Sequence, residues 1–168
     1  MDVSETLPKA ASESREEGFD AFYRSELVRA VRRVALMVGS VPVAEDIVHD
    51  KMIELYSRWG SIERPGAYLR RSCVNAAARR SKLNWRNDQL ADLPDREADH
   101  EATVHEFVDL LAPLTIRQRA VIVLRYYDGL TEAEIAETLR CRPGSVGPLL
   151  SRARTTLKKG TAAWTGDI

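Results

Sequence analysis

The chain has 168 residues, 25 basic and 25 acidic, for a formal net charge of zero. That length allows one ordinary domain or two small ones at roughly 100–200 residues each, and an apolar share of 44% with 30% charged residues excludes collagenous or low-complexity chains. There is no apolar run of about 18 residues and no basic-then-apolar leader, and Cys73 and Cys141 lack CxxC or Cys/His spacing; the expectation is a cytoplasmic protein with no membrane insertion, disulfide, metal or cofactor.

Residues 1–14 are polar without apolar period and read as a disordered tail. From Arg15, Phe19, Phe22, Tyr23, Leu27, Ala30, Val34 and Met37 recur at three- and four-residue steps, one helical stripe that Gly39 stops. Pro42 suits the first turn of a second helix, in which Val43, Ile47, Met52, Leu55, Tyr56 and Trp59 face inward. Gly60 and Ser61 break it. Pro65 opens a third helix, with Tyr68, Leu69, Cys73, Val74 and Ala77 inward and its arginines outward. Residues 15–83 thus predict a bundle of three to four helices.

Residues 84–103 carry many acids and little periodicity, and read as a flexible linker between domains. In residues 104–160, Val104, Phe107, Val108, Leu110 and Leu111 form a short apolar helix ending near Pro113. Thr115 with Gln118, and Thr131 with Glu134, are capping boxes that open two further helices. The first has Ile116, Ala120, Val123, Leu124 and Tyr127 at core spacing and stops at Gly129; the second turns Ile135, Ala136 and Leu139 inward. Pro143 starts a last helix with Val146, Leu150, Ala153 and Leu157 on one face, and 161–168 is a tail. The prediction is an all-α chain of two small helical domains.

Zero net charge argues against a nucleic-acid partner only if the charges are evenly mixed. They are not. Seven basic residues lie between Arg64 and Arg86 with no acid, and six more between Thr138 and Gly166, again with none; Asp88 to Glu106 holds seven acids against Arg96. Two basic surfaces balanced by an acidic linker speak to partners rather than fold. The strongest constellation is Thr131 to Lys159: a short capped helix, a tight turn and a longer basic helix, as a helix-turn-helix requires. Arg152, Lys158 and Lys159 then reach phosphates, with Arg142 and Ser145 near base edges.

The string Leu114–Leu139, followed by Pro-Gly-Ser-Val and Leu-Ser-Arg-Ala-Arg (Leu150–Arg154), resembles the fourth conserved region of bacterial sigma factors, and most nearly the extracytoplasmic-function group, which keeps only the second and fourth regions. Val43-Ala44-Glu45-Asp46-Ile47-Val48, Trp59, Pro65, Tyr68-Leu69-Arg70-Arg71, Asn75 and Arg79-Arg80 resemble the second region. Together these cover residues 17–159. The resemblance implies a sigma factor that binds core RNA polymerase and directs promoter recognition and initiation, with an anti-sigma factor as inhibitor. It implies that the second helix docks on the β′ clamp helices through Asp46, His49, Asp50 and Glu54, three of which repeat at four-residue steps. It implies −10 contacts from Tyr68, Arg71, Asn75, Arg79 and Arg80, and −35 contacts from Arg142, Ser145, Ser151, Arg152, Arg154 and Lys158, the fourth region also resting on the β flap.

Departures from the family pattern fall in the reading helix. Gly147 and Pro148 stand where a polar or basic pair is common, and Pro148 would kink a helix begun at Pro143 or delay its start. Arg142 occupies the slot of a Ser or Thr cap, and His49 that of a more frequent Gln. Two other readings stand beside the sigma factor: a helix-turn-helix regulator working without polymerase, and a protein-interaction module with weakened DNA readout. An enzyme is disfavoured. His49, His100 and His105 have no metal spacing, and there is no Gly-rich phosphate loop or GxSxG.

Overall fold

The computed structural model describes the backbone of residues 9–84 and 99–160 and the side chains of residues 14–80 and 104–159. Helices α1 (Lys9–Val38), α2 (Val41–Ser57) and α3 (Pro65–Asn84) form the amino-terminal bundle; α4 (Asp99–Leu111), α5 (Ile116–Ile122), α6 (Glu132–Leu139) and α7 (Val146–Gly160) form the carboxy-terminal unit. A π turn, Val123–Tyr127, continues α5, and a 3₁₀ turn, Pro143–Ser145, precedes α7. The described residues contain no strand.

Local signals set most helix ends. Gly39 closes α1 at φ 78°, where a side chain would be strained, and its N–H donates to the Ala35 carbonyl at 2.8 Å. Ser40 then caps α2, accepting from the Val43 N–H at 3.4 Å, with Pro42 in the first turn. Several boundaries differ from the sequence reading. Helix α1 begins at Lys9, inside the expected tail, because Lys-Ala-Ala-Ser-Glu contains good helix formers to extend an already stable helix. Helix α2 ends at Ser57, so Trp59 lies in the turn that follows. Helix α3 takes in Asn84 and α4 begins at Asp99, so both trim the expected linker; residues 85–98 lie outside the described residues.

The bundle core is the predicted stripe. Ala30, Val34 and Met37 of α1 meet Ala44, Ile47, Val48, Met52 and Leu55 of α2 and Leu69, Cys73, Val74 and Ala77 of α3, all buried. Each fully buried Val, Leu or Met side chain contributes about 1.5–3 kcal/mol of apolar transfer. Truncating Leu55, with no exposed surface, to Ala would cost about 2–5 kcal/mol. At one end of the bundle Phe19 lies edge-on to Trp59 (5.3 Å between centroids) and to Tyr56 (4.8 Å). Trp59 is half-buried there, and Tyr56, expected inward, is 43% exposed. In α4 the expected core residue Phe107 is likewise 51% exposed, Leu111 taking the buried position instead.

Both capping boxes form. Thr115 accepts from the Gln118 N–H at 3.3 Å while its own N–H donates to Gln118 Oε1 at 3.0 Å; Thr131 and Glu134 repeat the exchange at 3.3 and 2.8 Å. After Ile122 the ladder gains one residue, so the Asp128 N–H donates to the Val123 carbonyl at 3.1 Å, the spacing of a π turn. Gly129, at φ 69°, ends it, and the Leu130 N–H reaches back to the Leu124 carbonyl at 3.0 Å.

The two units dock on each other: α1 packs against α4, α5 and the π turn, and α3 against α5 and α6. Arg33 of α1 bonds Asp128 with both arms, Nε to Oδ2 at 2.6 Å and Nη2 to Oδ1 at 2.9 Å, with side chains 3% and 0% exposed. Arg29 adds a contact to Oδ1 at 3.3 Å. Arg119 Nη1 donates to the Met37 carbonyl at 3.2 Å, tying α5 to the end of α1.

Candidate nucleic-acid interface

Three surfaces were expected from the sequence, and each lies on a different helix. On α3, Tyr68, Arg71, Asn75 and Arg79 fall at three- and four-residue steps along one face, with Arg80 beside it. Arg79 is exposed and the other four are half-buried. Tyr68 neither sits in the core nor stands free. Its hydroxyl accepts from Arg58 Nη1 at 3.2 Å, and the Arg58 guanidinium lies 5.4 Å from its ring centroid. That contact fixes the ring at the mouth of the loop between α2 and α3. Arg70, expected outward, leans inward instead, and its Nε is buried without a hydrogen-bond partner among the described residues.

On α2, Asp46, His49, Asp50 and Glu54 are all exposed along the expected acidic stripe. Two of the acids have basic neighbours: Asp46 lies 4.0 Å from Arg80, and Glu54 accepts a hydrogen bond from Lys51. Such exposed pairs contribute little stability, about 0–1 kcal/mol. The Arg80 pair shows that the acidic stripe and the basic face adjoin at one edge. His49 stacks on Tyr23, with 3.1 Å between its Nε2 and the phenol oxygen, so one flank of the stripe is held by α1.

In the carboxy-terminal unit α6 and α7 are joined by a turn. Helix α6 ends at Arg140, which adopts φ 52° and donates its N–H to the Ala136 and Glu137 carbonyls. A non-glycine residue there carries roughly 1–2 kcal/mol of strain. The Cys141 N–H bonds the Ala136 carbonyl at 3.0 Å, and the chain re-enters helix through Pro143–Ser145. The two outcomes left open for Pro148 resolve as a delayed start. Helix α7 begins at Val146, so Pro148 lies in its first turn, where a missing N–H costs nothing. Arg142 makes no side-chain cap, and Ser145 Oγ donates to the Arg142 carbonyl at 2.6 Å instead. Arg142, Ser145, Ser151, Arg152, Arg154 and Lys158 are all exposed. Val146, Leu150 and Ala153 anchor the opposite face, fully buried or nearly so. That combination presents a rigid cationic helix, as duplex-phosphate contact requires.

Sequence reasoning missed the groups between the units. A cleft of about 210 Å³ is lined by Ile62, Arg64, Tyr68, Arg70 and Arg71 on one side and Glu134 and Glu137 on the other. The Glu134 carboxyl is held below its ordinary pKa, first by the Thr131 N–H and hydroxyl and then by Arg70 and Arg64. Arg33 could have been noticed as an arginine within the apolar stripe between Ala30 and Met37. Asp128 carried no such signal, since Asp-Gly after a helix reads as an ordinary turn.

Residues 105–157 match the family model described as Sigma-70, region 4, which spans α4 to α7. Over 153 residues the chain is 28% identical to an RNA polymerase sigma-E factor of Streptomyces avermitilis, covering 84% of this chain and 83% of that protein. It is 27% identical over 157 residues to an RNA polymerase sigma-E factor of Streptomyces coelicolor, covering 86% of each. Among solved structures, CnrH in complex with the cytosolic domain of CnrY superposes with a TM-score of 0.67 at 18% identity, over 92% of this chain and 94% of that one. The sigma factor RpoE in complex with the anti-sigma factor NepR from Bartonella quintana superposes with a TM-score of 0.60 at 21% identity, over 83% and 95%. At these identities the two structures speak for the fold.

Proposed function

We infer that the chain is an RNA polymerase sigma factor of the extracytoplasmic-function group, acting in the cytoplasm on core polymerase and promoter DNA under control of an anti-sigma factor. The observation that carries this is the region 4 match on a helix-turn-helix whose cationic face is exposed. An all-helical unit precedes it, carrying the second-region pattern. The lengthwise similarity to two sigma-E factors supports both units.

The division of labour follows the surfaces. Region 4, residues 105–157, reads the −35 element as duplex through α7 and rests on the β flap. The delayed start of α7 brings Arg142 and Ser145 to its tip, where base edges are in reach, while Arg152, Arg154 and Lys158 take phosphates. Gly147 contributes no side chain to that surface, so readout falls to its neighbours. The face of α3 holds the opened −10 strand: Arg71, Arg79 and Arg80 supply cations for its backbone, Asn75 hydrogen bonds, and Tyr68 a stacking ring. Asp46, His49, Asp50 and Glu54 of α2 meet the basic β′ clamp helices. The protein supplies binding energy for promoter melting and no catalysis of its own; bond formation belongs to polymerase.

Reconstitution with core polymerase on a promoter library tests this. A specific transcript that depends on the protein is expected, together with co-purification of the protein with core. Absence of both would leave the simple DNA-binding regulator. Arg79→Glu with Arg80→Glu should impair promoter opening more than core binding; equal loss would move those residues to the polymerase interface.

A further inference from the structure

One side of the reading helix is headed by an acid. Gly147, Ser151, Arg154 and Lys158 of α7 follow one another at steps of four, three and four residues, so they share a face, and the last three are exposed. At the head of that row the glycine leaves room for a carboxylate from the neighbouring helix. A methyl group on Gly147 would stand 3.2 Å from Glu132 Oε2 and 3.7 Å from Oε1, the first closer than ordinary van der Waals contact. Glycine thus lets Glu132, the first residue of α6, lay its carboxylate over the first turn of α7.

That carboxylate is not committed elsewhere. The cap of α6 is completed by Glu134, which exchanges bonds with Thr131. Glu132 is exposed and makes no hydrogen bond or ion pair among the described residues. It is an acid at the tip of a helix whose own charges, Arg152, Arg154, Lys158 and Lys159, are all basic. A carboxylate only accepts hydrogen bonds and is repelled by phosphate, so it gains nothing from the DNA backbone. Base edges in the major groove offer it two amino donors, cytosine N4 and adenine N6, whereas guanine and thymine offer only acceptors. Adenine sets its N7 acceptor beside the amine, against the second carboxylate oxygen; cytosine has no acceptor there.

We propose that Glu132 is a specificity-determining residue of the −35 surface: seated over Gly147, it accepts from a cytosine amine and takes the place of the reading side chain that Gly147 lacks. This role rests on the assignment of α7 to the −35 element.

The test uses the full chain with core polymerase on promoters whose −35 element is randomised while the −10 element is constant, the transcripts being barcoded and sequenced. The wild type should favour cytosine at one −35 position by about five- to tenfold. Glu132→Ala should erase that preference at that position alone. Glu132→Gln should move it to adenine, which Gln matches with a donor and an acceptor. Gly147→Ala crowds the carboxylate and should lower the same preference, with no further loss when it is added to Glu132→Ala, as expected of two residues acting at one point. A gain spread evenly over all sequences on losing the acid would mean that Glu132 only repels DNA. A lower melting temperature with unchanged base preference would mean that it only stabilises α7. Either result overturns the proposal, as does no change at all. Arg152→Ala and Lys158→Ala separate the causes. If they weaken all sequences alike while the Glu132 variants leave the preferences unchanged, only the role of Glu132 is wrong; if they too have no effect, the −35 assignment of α7 fails.

Discussion

Replacing Arg119 by Met should destabilise the chain by about 2–3 kcal/mol. Arg119 Nε donates to the Leu111 carbonyl at 3.0 Å and the Leu114 carbonyl at 3.1 Å, Nη2 to Ala112 at 2.9 Å, and Nη1 to Met37 at 3.2 Å. Leu111 and Ala112 belong to the last turn and exit of α4, whose carbonyls have no partner within the helix. One guanidinium thus closes α4, fixes the turn into α5 and reaches across to α1. Met keeps most of the aliphatic stem and removes the three donors. The Nε pair shares one hydrogen and counts as one bond of about 1–1.5 kcal/mol, the Met37 bond as about 1, and the exposed Ala112 bond as about 0.5, since water replaces it. Against this stands the cost of burying the charge, which lowers the guanidinium pKa without neutralising it. Lys recovers one donor and should cost about 1–2 kcal/mol. Urea unfolding followed by circular dichroism measures both, and with m near 1–3 kcal/mol per molar the Met variant's midpoint should fall by about 1 M. A Met variant within about 0.5 kcal/mol of the wild type, or a Lys variant equal to Arg, would refute the assignment of these bonds as a structural tie.

Burial in the bundle pushes the Cys73 thiol up to about 12, offset in part by Arg33 and Lys51. Its folded pKa lies above the unfolded value, so the stability it contributes is intact below pH 9 and is lost as pH rises from about 9 towards 12. Cys73→Ala should flatten that decline, and alkylation of the native protein at pH 8 should modify the partly exposed Cys141 well before Cys73. Arg140→Gly should raise stability by about 0.5–1 kcal/mol in thermal melts, because the residue's left-handed backbone favours glycine. A loss instead would mean that the arginine side chain holds the turn. Binding to duplex promoter DNA should weaken steeply with salt, and Lys158→Ala should reduce the log–log slope by about 0.9; an unchanged slope would remove Lys158 from the phosphate contacts.

How much was legible depends on the range over which each signal acts. The stops at Gly39 and Gly129 and the capping boxes at Thr115 and Thr131 were readable because each is complete within about four residues. The stripe Ala30, Val34, Met37 was readable because periodicity reports a face. Periodicity does not say where the face ends, so Phe107 and Tyr56, at its margins, are exposed. Pro148 was half legible. Its missing donor had to be accommodated, but only the 3₁₀ turn at Pro143–Ser145 shows that the helix starts late rather than bending. Of the candidate interface, the exposed face of α7 and the acidic stripe of α2 stand where spacing put them, while the cleft that sets Glu134 and Glu137 opposite Arg64, Tyr68, Arg70 and Arg71 was not foreseen.

By itself the sequence determined the helices, their caps and the division of a zero net charge into basic surfaces and acidic segments, since these depend on neighbours along the chain. Tertiary structure alone decided that Arg33 is buried rather than solvated, that Asp128 is its partner, and that α6 faces the arginines of α3. The physical reason is that a buried charge is tolerated only where an opposite charge arrives in the right geometry. Here that charge comes from a π turn 95 residues away, a separation over which no local pattern carries information.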